Sequence, residues 1–246
     1  MPPQAFTVER RDHPFGEEGV RRSLEEVANY ILKGYTHPKV VAWAQECLER
    51  ARKERGVPCK TERQRAEVLL RSVQKKLWIP DPVGTEWMAG AHLMACDRTT
   101  KDELCIAPQD CDDRVVICGS SMMAVGLYCC VVGHGYNAKQ DIEHVLLTVR
   151  LDGQWAYADP SEPSLPLGKC VKPSRERVIS LPNNKVICDA RACFTNPSDY
   201  DPIKSGFVEK GVFVGVNGVP AGIPDFVEPT PEILWKIGVG TGVEWL

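Results

Sequence analysis

The chain has 246 residues, of which 43% are hydrophobic, and this suits one sizeable domain with its own core. Its 30 Lys and Arg against 33 Asp and Glu leave a net charge of −3, which gives no general attraction to nucleic acid or anionic lipid. No apolar run approaches the roughly 18 residues of a bilayer span, and the polar first 19 residues lack a signal-peptide core. We therefore expect a cytoplasmic or particle-packaged protein without nucleic-acid or membrane partners.

Three segments with helical spacing of apolar residues come first. They cover residues 19–32, about 38–55 and 61–77. Short segments that contain Gly and Pro separate them. We expect these helices, within an N-terminal helical region at residues 1–77, to pack as a layer over the rest of the protein. Residues 78–82 then favour an extended segment, and residues 89–108 a long irregular stretch that shapes access to a site.

Cys111 lies in the sequence Gln-Asp-Cys-Asp-Asp, at the start of a predicted helix over about residues 112–125. Free N–H groups and the positive end of the dipole at a first helical turn stabilise a thiolate. The adjacent acids act in the opposite direction, because negative charge raises the pKa of a thiol. We interpret Asp112 and Asp113 as dipole and capping partners rather than calcium ligands, because no loop of alternating oxygen ligands is present.

A strand and a hairpin follow. Residues 143–151 alternate in polarity, which predicts a strand, and Asp152-Gly153 is the strongest short hairpin signal in the chain. A two-residue loop there places Leu146 opposite Asp159 and makes His144 the diagonal neighbour of Asp159. Diagonal neighbours lie roughly 7–8 Å apart at the backbone, close enough for a carboxylate to meet an imidazole. A single bulge would move Asp159 to the opposite face of the sheet.

These motifs, Asp-Cys-Asp-Asp before a helix, Glu-His-Val, then Asp-Gly-Gln-Trp and Asp-Pro-Ser, occur in an order that resembles the transglutaminase-like superfamily with its papain-like core. The Asp-Pro-Val-Gly-Thr-Glu-Trp segment at residues 81–87 is similar to the region upstream of the nucleophile in compact bacterial and phage-encoded members. The resemblance covers about residues 60–168. It implies Cys111 as nucleophile, His144 as general base and acid, and Asp159 as the residue that fixes the imidazole tautomer.

Such a reaction also needs hydrogen-bond donors for the oxyanion. The backbone N–H of Cys111 is the first candidate. The resemblance implies a second donor from an upstream aromatic side chain, and Trp78 stands at about the right place, although a Trp beside an apolar helix end is also typical of a core. Trp87 and the amides of Gln74 and Gln109 are the alternatives.

The remaining histidines and cysteines offer competing sites. His134 lies between two glycines at a predicted strand end and is the main rival base, whereas His92 could line the cleft. Cys129, Cys130 and His134 lack the paired spacing of a zinc site, so we expect neither a metal nor another cofactor. The 11 cysteines are interpreted as reduced thiols, because their number is odd and no export signal accompanies them.

The elements together predict an α+β fold, in which the nucleophile helix packs on an antiparallel sheet. We place a papain/transglutaminase-like catalytic core at residues 78–175 and a Pro/Gly-rich C-terminal extension at residues 176–246. The extension begins with two short predicted strands near residues 177–179 and 185–188. Its apolar remainder is too hydrophobic for ordinary disorder, so we expect it to wrap the core or to dock on another subunit.

The function that the resemblance implies is thiol-dependent acyl transfer on a protein or peptide amide. Water as second substrate makes a peptidase or amidase, and a lysine amine makes a transglutaminase; the triad alone does not distinguish them. The alternative is a structural or assembly protein of a phage or prophage particle, with the triad vestigial or used once and the tail joining a homo-oligomer or larger assembly. A binding module with a repurposed cleft is the third possibility.

Overall fold

The computed structural model describes residues 8–11, 17–79, 81, 86–96, 109–136, 142–181, 185–190 and 225–227. The three predicted N-terminal helices are confirmed as α1 (Glu17–Gly34), α2 (Pro38–Arg55) and α3 (Glu62–Gln74). Local chemistry sets their ends: Pro38 opens α2, and Gly56 closes it with a positive φ of 72°. A reciprocal capping box between Thr61 and Gln64 starts α3.

A small two-stranded sheet joins the N-terminal segment to the middle of the chain. Strand β1 (Val8–Arg11) pairs antiparallel with β2 (Glu86–Ala89), and a short helix α4 (Ala91–Met94) follows. Neither β1 nor α4 was predicted: the first lies in the segment before the helices and the second in the stretch expected to be irregular. A four-residue element has too short an apolar pattern to be recognised from sequence alone.

The central sheet has five antiparallel strands in the order β5-β4-β3-β7-β8. They are β3 (Tyr128–Gly135), β4 (His144–Leu151), β5 (Gln154–Ala158), β7 (Arg175–Ser180) and β8 (Lys185–Ala190). A separate strand β6 (Lys169–Val171) pairs in parallel with β9 (Asp225–Val227). The two short strands predicted in the C-terminal extension are thus confirmed as β7 and β8, within the same sheet as β3. The remainder of the predicted docking tail lies outside the described residues.

The β4–β5 hairpin has the predicted register. Asp152 and Gly153 both have positive φ, 53° and 85°, as a tight two-residue turn requires. Leu151 pairs with Gln154, and the pairing continues without a bulge to Leu147 opposite Ala158. His144 and Asp159 therefore lie on the same face of the sheet, as the sequence predicts.

Helix α5 (Cys111–Ala124) is almost wholly buried and contacts α1, α2, α3 and the central sheet. Gly119 interrupts its apolar sequence at a cost of about 1 kcal/mol in helix propensity. A Cβ at that position would lie 2.8 Å from Cδ1 of Ile31, so the glycine lets α1 approach α5 closely. The fold is a mixed α+β arrangement in which helices cover the sheet, and within the described residues no helix has the length and hydropathy to cross a membrane.

Candidate active site

Cys111 is the first residue of α5, a partly buried cysteine outside any disulfide, at the edge of the core. The chain reaches it through an isolated antiparallel bridge, in which the N–H of Gln109 donates to the carbonyl of Ile79 at 3.0 Å. The first helical turn then closes with a hydrogen bond from the N–H of Arg114 to the carbonyl of Asp110 at 3.1 Å. The thiol therefore lies at a helix N-terminus, next to the segment that carries Trp78.

His144 and Asp159 meet as the strand register predicts. Nε2 of His144 lies 2.9 Å from Oδ2 of Asp159, and both side chains are buried. Oδ1 of Asp159 accepts the N–H of Ser161 at 2.9 Å. Nδ1 of His144 has no hydrogen-bond partner within the described ranges. A carboxylate at Nε2 and an open Nδ1 form the arrangement that a histidine needs to accept a proton from a thiol.

The charge state of Asp159 follows from its surroundings. Burial alone raises the pKa of this carboxyl. The charge and hydrogen bond of His144, the N–H of Ser161 and the charge of His134 outweigh that effect and hold the pKa below its ordinary value. Asp159 is consequently an ionised acceptor at neutral pH, and the Nε2–H of His144 donates to it.

Tyr136 and Arg114 lie next to this pair. The ring of Tyr136 stacks on His144 with 6.3 Å between centroids and 30° between planes. The pKa of Tyr136 is raised by burial first and then by negative charges that include Asp159 and Cys111. Burial lowers the pKa of the Arg114 guanidinium to about 10, whereas the negative charges of Asp159, Asp110 and Cys111 act to raise it. The negative charge of Asp159 thus acts on the pKa of both side chains.

Arg114 also organises the walls of the site. Its buried guanidinium donates to the carbonyls of Gln109 at 3.2 Å, Pro160 at 3.3 Å and Lys76 at 2.6 Å, and it lies 5.0 Å from the ring centroid of Trp78. One side chain thus holds the segments before Cys111 and after Asp159 together. Trp78 is half-buried against this cation, and the side chain of Gln109 is fully buried. Their oxyanion roles stay predictions.

Gln74 has a different role from the one considered for it. Its buried Nε2 donates to the carbonyls of Asp159 at 2.7 Å, Glu162 at 3.0 Å and Leu165 at 3.0 Å. Because the two N–H groups of this amide already face three loop carbonyls, none is left for an oxyanion. Gln74 instead ties the loop that follows Asp159 to helix α3.

Replacing Gln74 with leucine is expected to destabilise the protein by about 1–3 kcal/mol and to slow any thiol-dependent turnover. Leucine fills a similar volume but removes the amide donor from the carbonyls of Asp159, Glu162 and Leu165, of which only that of Glu162 keeps another donor, the N–H of Leu165. Urea unfolding and a rate measurement check both effects. Gln154→Leu, at an exposed position in the hairpin, is the matched control. A Gln74→Leu protein as stable as the parent would show that the loop does not depend on this amide.

His134 lies in a buried polar cluster beside His144, on the same face of the sheet. It pairs with His144 in the β3–β4 register, and its Nε2 lies 3.7 Å from Oε2 of Glu176. The hydroxyl of Tyr157 donates to the same carboxylate at 2.9 and 3.0 Å. His134 therefore faces Glu176, whereas His144 is the histidine that contacts Asp159. The other candidate, His92, stacks on the partly exposed ring of His37, with 4.6 Å between the ring centroids.

The acids around Cys111 form a cluster rather than a set of caps. Asp110 makes no side-chain capping hydrogen bond, and Oδ1 of Asp113 accepts the N–H of Ala89, which ties β2 to α5. The capping interpretation is wrong for Asp113 because its carboxylate is used by another element. Carboxyl oxygens of Asp81, Asp110 and Asp113 lie within 4.8 Å of one another, as do ligand atoms of Asp110, Cys111 and Asp112. The three carboxylates of Asp81, Asp110 and Asp113 are the ligands that could hold a hard cation.

Burial shifts the protonation of this cluster. Burial is the main reason that the pKa of Asp112 lies well above its ordinary value, and the negative charge of Asp110 raises it further. Burial also raises the pKa of Asp81 to about 6, against the N–H of Trp87. Neighbouring carboxyls that share protons add less negative charge beside Cys111 than the sequence suggests.

Asp112→Asn is expected to stabilise the protein at neutral and alkaline pH, by on the order of 1–3 kcal/mol near pH 8. The folded state holds a proton on Asp112 more tightly than the unfolded state, so this residue costs stability increasingly as pH rises above about 4. The gain should vanish near pH 4. Unfolding curves across this range test it, with Glu46→Gln at an exposed position as control. A pH-independent difference would contradict a buried titrating carboxyl.

The cysteines correct one expectation. Seven described cysteines form no disulfide, whereas Cys96 is disulfide-bonded, so the prediction of uniformly reduced thiols is wrong for Cys96. Cys129 packs in the helix-side core and Cys130 in the cluster on the other face of the sheet. Adjacent strand residues point to opposite faces, so the two sulfurs and His134 do not converge on one ion.

Comparisons with known proteins add little to this geometry. No protein-family model and no curated protein matches the chain. Among solved structures, the chain is similar to a protein of Parabacteroides distasonis named as a "putative protease", with 12% identity and a TM-score of 0.40. The match covers 76% of this chain and 41% of that protein, so the chain spans less than half of its length.

Proposed function

We propose that the protein is a cysteine-dependent acyl-transfer enzyme with a transglutaminase-like, papain-like core, acting on protein or peptide amides. The observation that carries the proposal is the buried contact between His144 and Asp159, which leaves Nδ1 of the imidazole open. Cys111 stands at the N-terminus of α5, and Arg114 of the same helix donates to the carbonyl of Pro160, which directly follows Asp159. A nucleophile, a base and an orienter from three separate elements form a recurring catalytic arrangement.

In the proposed reaction His144 takes the proton of Cys111, and the thiolate attacks the carbonyl carbon of the amide. The carbon–sulfur bond forms as the carbonyl electron pair moves to oxygen, where the N–H of Cys111 stabilises the charge. The oxyanion then collapses, the carbon–nitrogen bond breaks, and His144 returns its proton to the departing amine. Asp159 stabilises the imidazolium between these steps.

An acyl-thioester on Cys111 is then resolved by a second nucleophile. Water gives an acid and makes the enzyme a peptidase or amidase; a primary amine gives a new amide and makes it a transglutaminase. Hydrolysis is our first choice because water needs no second binding site. The His144–Asp159 pair activates either nucleophile by the same proton transfer.

Mass spectrometry of peptides incubated with the protein and a labelled primary amine tests the proposal. Addition of the amine mass to glutamine identifies transamidation, whereas cut peptides or a deamidation shift identify hydrolysis. Cys111→Ala, treated identically, is the control for contaminating activity. If neither product forms in a broad peptide mixture, the acyl-transfer function is contradicted, and the structural role in a particle becomes the better hypothesis.

A further inference from the structure

Tyr136 is held firmly at the entrance to the β3–β4 connection, directly after β3. Its N–H donates to Oε2 of Glu143 at 3.2 Å, and its carbonyl accepts the hydroxyl of Ser174 at 2.9 Å. Its ring stacks on His144 and meets His134 edge-on, with 6.0 Å between centroids. Backbone and ring are fixed from several sides, so the hydroxyl has a defined position.

The hydroxyl of Tyr136 is the unusual part of this side chain. It is buried and has no hydrogen-bond partner in the part of the chain that the structure describes. Tyr157, a buried tyrosine on strand β5, instead donates to the carboxylate of Glu176. Buried hydroxyls are costly to leave unsatisfied, so an unpaired one in a candidate site indicates that a ligand completes it.

The electrostatic surroundings keep this hydroxyl protonated. Burial raises the pKa of Tyr136 most, and the negative charges of Asp159 and Glu143 raise it further. At neutral pH the group is therefore a neutral O–H donor. A donor that keeps its proton in a site shielded from water is suited to stabilise an oxygen on which negative charge develops.

We propose that the Tyr136 hydroxyl is the second oxyanion donor, taking the role that the sequence suggested for Trp78. The inference rests on the proposed acyl-transfer function. As the thiolate of Cys111 attacks, the carbonyl oxygen accepts hydrogen bonds from the Tyr136 O–H and the Cys111 N–H. No proton moves to that oxygen, and both bonds weaken again when the carbonyl re-forms. Trp78 instead packs its ring against the guanidinium of Arg114.

Two reactions at Cys111 separate this role from a general effect on the thiol. Acylation by p-nitrophenyl acetate passes through a tetrahedral oxyanion, whereas alkylation by iodoacetamide displaces iodide directly and forms none. Tyr136→Phe keeps the ring that stacks on His144 and removes only the donor. We expect it to slow acylation by roughly 10²- to 10³-fold and to leave alkylation within about twofold of the parent rate.

Tyr157→Phe is the matched control, since it removes a buried hydroxyl that already has a protein acceptor. Both of its rates should stay close to those of the parent. Tyr136→Met is the second variant, because methionine fills irregular space without a donor and serves if the phenylalanine protein does not fold. Circular dichroism of each full-length variant confirms folding before the rates are compared.

Each outcome has one meaning. Acylation of Tyr136→Phe at the parent rate would overturn the donor assignment while the acyl-transfer function stands. A parallel loss of alkylation, or a shift in its pH profile, would also overturn it, because Tyr136 would then act through the thiolate or through His144. A parent protein that neither reagent modifies at Cys111 would reject the proposed function itself.

Discussion

Replacing Cys111 with alanine is expected to abolish acyl-enzyme formation and turnover while leaving the fold nearly intact. The substitution removes one partly exposed sulfur from a helix end, and the backbone hydrogen bonds that start α5 do not depend on it. The cost in stability should be on the order of 1 kcal/mol. Intact-mass spectrometry after exposure to p-nitrophenyl acetate measures the acyl-enzyme, and urea unfolding measures stability.

Cys59→Ala is the matched control for this experiment. Cys59 is also a free, half-buried thiol that packs at the edge of the core, but it lies in the connection between α2 and α3. It should keep the activity of the parent and lose a similar amount of stability. Persistent turnover in Cys111→Ala would remove Cys111 from the mechanism, whatever its reactivity toward alkylating agents.

Asp159→Asn is expected to reduce turnover by up to about 10⁴-fold with little change in the fold. Asparagine can still accept the N–H of Ser161 through its amide oxygen, but its NH₂ group then faces Nε2 of His144. That contact favours the tautomer with a proton on Nδ1, the nitrogen that must accept the proton of the thiol. The imidazolium also loses its carboxylate partner, so the Cys111 thiolate becomes harder to form.

The pH dependence of iodoacetamide alkylation checks this explanation. In Asp159→Asn the rise in the alkylation rate should move to higher pH, because the thiolate is no longer paired with a stabilised imidazolium. Asp152→Asn is the control: this exposed turn residue has a φ of 53°, which asparagine also tolerates. If Asp159→Asn matched the parent in rate and pH profile, Asp159 would not be the residue that orients His144.

Much of the secondary structure followed from local patterns. The N-terminal helices have apolar spacing, α2 and α3 also begin at capping residues, and α5 follows the apolar run after Cys111. The Asp152-Gly153 turn fixed the hairpin register, because a two-residue loop leaves one pairing that buries the correct face. That register is why the approach of His144 to Asp159 could be predicted.

Several features of the site had weaker signals in the sequence. Tyr136 shares the strand parity of His134, and Arg114 is an isolated cation in an apolar helix, but neither pattern states what the side chain contacts. A charged residue in an otherwise apolar helix often lies only at the solvent-exposed edge of that helix. Burial of Arg114 and its three carbonyl acceptors identify it as part of the site.

The sequence by itself determined the helices, the hairpin and the order in which Cys111, His144 and Asp159 occur, because each depends on spacing within one or two neighbouring elements. Tertiary structure decided how the site is supported. Gln74 meets the carbonyl of Asp159 across 85 residues, and Asp113 meets the N–H of Ala89 across 24. Such contacts arise only when separate elements pack together, and no local periodicity encodes them.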